Sequence, residues 1–194
     1  MDRARLERRA FLLEYLTMGW MTVEASVAIA AGLAAGSIAL VGFGLDSVIE
    51  FLAAGVVIWE LRGGSEQRQR RALQIIGLTF LALALYVGVQ AVRDLAAHAR
   101  PESSLPGVLV AGAALVVMPL LARAKRRTGR ALENPTLVAE SAETAFCAWL
   151  SATVLVGVGL NALLGWWWAD PVAALVIAGF AIKEGLEAWS PDAD

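Results

Sequence analysis

From Ile38 to Trp59 the chain carries no charged residue except Asp46 and Glu50, and Ser47 is its one other polar side chain. A helix of that length crosses a bilayer, and apolar runs of similar length lie on both sides of it. Burying so many in a soluble core is not feasible. The composition agrees: 58% of the 194 residues are hydrophobic, 18% are charged, and the mean hydropathy is +0.64. These values place the chain among polytopic membrane proteins. Two carboxylates inside a membrane helix are costly, and such groups face a bundle interior, a cavity or an ion path. Asp46 and Glu50 stand four apart, so a helix projects both into the same space.

The expected fold is all-α, with six transmembrane helices over residues 11–35, 38–61, 72–92, 107–122, 135–164 and 170–189. Gly36 and Ser37 make the first turn. Residues 62–71 and the basic run 123–130 are read as loops, and Asp170 with Pro171 as the start of the sixth helix. All but Arg93 and Arg100 of the 16 Lys and Arg residues then fall on one side. By the positive-inside rule that side, with both termini, is cytoplasmic. Trp166, Trp167 and Trp168 lie at the outer interface. The whole chain, 1–194, reads as one transmembrane domain without a cytosolic C-terminal domain. The expected location is a bacterial-type plasma (inner) membrane, among its lipids.

Several function classes drop out. Arg3, Arg5, Arg8 and Arg9 lead into an apolar run with no small-residue cleavage site, which is not a signal peptide. A single cysteine, Cys147, excludes an intrachain disulfide or a cysteine-rich zinc cluster. No nucleophile–base pair or cofactor loop appears, so neither an enzyme nor a prosthetic group is expected. The basic runs serve topology rather than nucleic acid.

On the fifth helix Glu140, Glu143 and Cys147 fall at i, i+3 and i+7, a single stripe. Facing the second helix, that stripe brings Asp46, Glu50, Glu143 and Cys147 together as four potential metal ligands. At 1.5 Å per residue, Asp46 lies about 13 Å below the outer end of its helix and Glu50 about 6 Å deeper. Such a site sits near the midplane, as in alternating-access carriers. Carboxylates with a thiolate suit zinc, and without histidine they also accept cadmium, manganese or ferrous iron. Glu24, mid-way along the first helix, is a supporting hydrogen-bond partner or a proton carrier, and Glu140 a neighbour one turn away. Glu14 and Glu184 lie nearer helix ends, where snorkelling or capping is as good an account. Cys147 is equally readable as a small packing residue, and His98 as a solvated loop residue. The small residues Ala30, Ala31, Gly32, Ala34, Ala35 and Gly36 signal close helix packing.

Gly36-Ser-Ile-Ala-Leu40 followed by Asp46-Ser-Val-Ile-Glu50 resembles the second membrane helix of the cation diffusion facilitators, proton-coupled exporters of divalent metals. Ala139-Glu140-Ser-Ala-Glu143-Thr-Ala-Phe-Cys147 is similar to the matching stretch of their fifth helix, and Trp168-Ala-Asp-Pro171 to the start of their sixth. The resemblance covers the six helices in order. It implies that Asp46, Glu50, Glu143 and Cys147 occupy the ligand positions. The chain departs from the family in lacking histidine on both helices, in carrying Cys147 where an aspartate stands, and in lacking the histidine-rich loop and the cytosolic domain. A homodimer would then be held by membrane helices alone. The expected function is export of a divalent transition metal, zinc foremost, in exchange for protons. The alternatives are a small-solute or drug/proton antiporter using Glu14 or Glu24, and a non-transporting membrane subunit.

Overall fold

The computed structural model describes residues 3–63, 66–102 and 104–189. Residues 64–65 of the second loop lie outside them, as do Asp2 and residues 190–194. Among the described residues six helices follow one another: α1 Arg3–Ala35, α2 Ile38–Leu61, α3 Glu66–Ala97, α4 Leu105–Leu132, α5 Pro135–Leu164 and α6 Ala169–Trp189. Five, α1 to α5, contain segments long and apolar enough to cross a membrane. Leu163 is 85% exposed and Trp149 71%, part of a broad apolar outer surface. That surface suits acyl chains rather than water. The protein is an integral, multi-pass membrane protein.

Two helices stop where glycine removes the steric bar to a left-handed residue. Gly36 (φ 66°) ends α1 and Gly165 (φ 67°) caps α5. Ser104 caps the start of α4 by accepting from the Gly107 amide, and Asn134 does the same for α5 with Leu137.

Two segments read as loops are helical. α3 begins at Glu66, and α4 runs through Pro119 and the whole basic stretch to Leu132. Arg, Lys, Gln and Ala are strong helix formers, so nothing local stops either helix at the membrane boundary. The inner stripe of α4 continues without a break through Ala111, Ala114, Met118, Ala122, Lys125 and Gly129, all buried, while Arg123, Arg126, Arg127 and Arg130 are exposed. The αL residue Glu133 (φ 54°) then turns the chain directly into α5.

α2 is the central helix. In its spanning segment 67% of residues are buried, against at most 39% in the other four, and it touches α1, α3, α5 and α6. The closest pairs are α1 with α2, α4 with α5, and α3 with α6. Gly44 of α2 admits α1 so closely that an added Cβ would sit 2.9 Å from the Ile29 backbone nitrogen. Association through small residues is the usual route in lipid, where apolar burial gives helices no preference for each other.

Asp170 does not cap its own helix, contrary to the sequence reading. α6 starts one residue earlier, and the carboxylate crosses to the start of α2. There Ser37 Oγ donates to Asp170 Oδ1 (2.5 Å) and the Ala39 amide to Oδ2 (3.3 Å). Ser37 Oγ in turn accepts from the Leu40 amide (3.2 Å). Two of the amides that α2 leaves unpaired at its first turn are satisfied in this way. His98 is exposed, as expected, with its ring tilted at 39° against that of Trp167, centroids 4.7 Å apart.

Candidate cation site

Because α2 and α5 pack side by side, Asp46 and Glu50 meet Cys147 in the interior. One ligand atom from each lies within 4.8 Å of the other two, and all three residues are buried. Glu50 is the informative member. Both its carboxylate oxygens are buried and neither has a hydrogen-bond partner among the described residues. A buried polar atom without a partner carries its full desolvation cost, which a proton or a bound cation would relieve. Two carboxylates and a soft sulfur are a donor set that a divalent transition metal accepts.

Glu24 of α1 closes the group from a third side. Its Oε1 accepts from Ser47 Oγ (2.7 Å) and faces the Cys147 thiol (3.6 Å), while Oε2 accepts from Trp20 Nε1 (2.5 Å). These contacts fix the carboxylate against the sulfur. Glu143 lies outside this group. It is partly exposed, one turn before Cys147 on α5.

Towards the basic end of the bundle is a second set of charges. Lys125 of α4 is fully buried, and its ammonium donates to Glu14 Oε2 of α1 (3.1 Å) and to Glu140 Oε1 of α5. Glu14 is therefore an interior residue, not a snorkelling one, and Glu140 pairs with Lys125 instead of joining Asp46 and Glu50. Sequence reasoning missed Lys125, Ser47 and Trp20. Two of them carried a signal: Trp20 and Glu24 are an i, i+4 pair, and Lys125 is in register with the small-residue stripe of α4.

Residues 19–191 match the cation efflux transmembrane domain. The chain belongs to the cation efflux family. This cation efflux protein is also 27% identical to an uncharacterized transporter of Synechocystis sp., over 158 residues that make up 76% of this chain and 51% of that protein. With transmembrane protein 163 of Xenopus laevis it shares 25% identity over 139 residues, 69% of this chain and 49% of that one. The cation efflux chain thus spans about half the length of the curated relatives it matches.

Proposed function

We propose that the protein carries a divalent transition-metal cation across the membrane, zinc foremost, in exchange for protons. The single observation behind this reading is the buried Glu50 carboxylate without partners, beside Asp46 and the Cys147 sulfur. Asp46, Glu50 and Cys147 are the proposed ligands, and Glu143, on the same stripe of α5, is the proposed fourth. Protons compete with the metal for these carboxylates and this thiol, so acid on one side releases the ion there. Family membership supports the class of substrate. The antiporter alternative based on Glu14 or Glu24 is less well supported. Glu14 is held by Lys125, and Glu24 accepts from Ser47 and Trp20.

The test is uptake of zinc, cadmium, manganese and ferrous iron into proteoliposomes with an acidic interior. Gradient-dependent uptake of at least one ion is expected, and Asp46→Asn should abolish it while the protein still inserts and purifies as wild type does. Wild-type uptake by Asp46→Asn would remove the carboxylate cluster from the transport path. Cys147→Asp probes the sulfur. Thiolate selects soft ions, so this variant should lose preference for cadmium over manganese. An unchanged preference would make Cys147 a packing residue.

A further inference from the structure

The Glu14–Lys125–Glu140 group does not balance. Two carboxyl groups face one ammonium, so the group is neutral only when one of them also holds a proton or a further cation. In addition, Glu14 Oε1 and Glu140 Oε2 are buried without hydrogen-bond partners among the described residues. Each is the second oxygen of a carboxylate whose first oxygen holds Lys125, so both lie beside the ammonium. A buried triad built only to join helices needs its remaining lone pairs satisfied. This one has two acceptors left over.

A divalent cation matches two carboxylates in charge where an ammonium cannot. The lysine is attached through a flexible four-carbon stem and holds the site as a compact point charge, so it can leave without unfolding the helix that bears it. The position also fits. Glu14 and Glu140 are on α1 and α5, the helices that supply Glu24 and Cys147. Seven residues separate Glu140 from Cys147, about 10 Å along α5, with the pair nearer the Arg123–Arg130 end. An ion moving between that end and the Asp46–Glu50–Cys147 group passes it.

We infer that Glu14 and Glu140 form a second divalent-cation site, held closed by the tethered ammonium of Lys125 and opened when the cation displaces it. The inference deepens the transport reading and rests on it for the identity of the ion.

The experiment counts cadmium bound to the detergent-purified full chain by equilibrium dialysis and elemental analysis. Lys125→Met should bind one more ion per chain than wild type, and Lys125→Met/Glu14→Gln/Glu140→Gln should return to the wild-type count. The same gain should appear when Asp46→Asn and Glu50→Gln are also present. An extra ion in Lys125→Met with none in wild type would overturn the transport reading and leave this site standing. A folded Lys125→Met with no extra ion overturns the second site. Should Lys125→Met fail to fold, wild-type protein decides. Reductive methylation of Lys125, followed by peptide mass spectrometry, should quicken severalfold as cadmium is raised past saturation of the first group. A rate indifferent to cadmium overturns the inference.

Discussion

Glu50→Met is expected to make the metal-free protein more stable and to abolish its response to metal. The native carboxylate has both oxygens buried and unpartnered, and each such atom costs about 1–3 kcal/mol. Methionine has nearly the same length, no charge and no acceptor, and its flexible thioether adapts to irregular space. Replacing a buried charge by an apolar side chain of similar volume is often stabilising. In wild type, a bound ion recovers the loss: a ligand at about a hundredfold excess over its Kd contributes about 2.7 kcal/mol. Thermal unfolding in detergent, with and without cadmium, reads both effects. Wild type should gain stability with cadmium, and Glu50→Met should start higher and gain nothing. A variant that is less stable than wild type without metal would show that Glu50 is needed for packing. Stability exchanged for function at one residue is what a site built for a guest displays.

Gly44→Val should unseat α1. A Cβ there would meet Ile29 Cγ1 at 2.7 Å, the Ile29 backbone nitrogen at 2.9 Å and Ala28 Cβ at 3.1 Å. Backbone cannot yield as a side chain does, so α1 must move away along its contact with α2. Overpacking of this kind costs about 1–3 kcal/mol. The damage should reach the site, because Ser47, one turn further along α2, holds Glu24 of α1. Cadmium affinity should therefore fall with stability. Gly55, on the same helix, has nothing within 4 Å of an added Cβ, and Gly55→Ala should leave both unchanged. Equal behaviour of the two variants in unfolding and in cadmium titration would mean that the tight α1–α2 contact does not govern the site.

The sequence carried α2 and α5 almost to the residue, because each is bounded by strong punctuation: Gly36-Ser37 before one, Asn134-Pro135 and Gly165 around the other. The pairing of Asp46 with Glu50 follows from helical spacing alone. α3 and α4 were read too short because charge was taken as the end of the helix. Yet charge ends only the favourable contact with lipid, not the backbone hydrogen bonding. In α4 the stripe Ala114, Met118, Ala122 continues on spacing into Lys125, and α1 has the same alternation of three and four through Ala10, Glu14, Thr17, Met21, Glu24 and Ala28. Glu14 was thus legible as interior, but its partner was not, since no local pattern says which helix supplies a counter-charge. Glu143, on the same stripe of α5 as Cys147, stands outside the three-residue group in this structure. A stripe names the residues on a face, while the rotation of the helix decides which of them meets the partner.

The tie between Ser37 and Asp170 spans 133 positions, and it imposes a wait on synthesis. At about 5–20 residues per second, Asp170 emerges on the order of ten seconds after Ser37. Through that interval the first amides of α2 have no carboxylate to bind, and water or lipid headgroups must serve them. The sixth helix therefore finishes the second. A chain halted between α5 and α6 would hold Asp46, Glu50 and Cys147 in one polypeptide, with the helix bearing both carboxylates still unfastened at its outset.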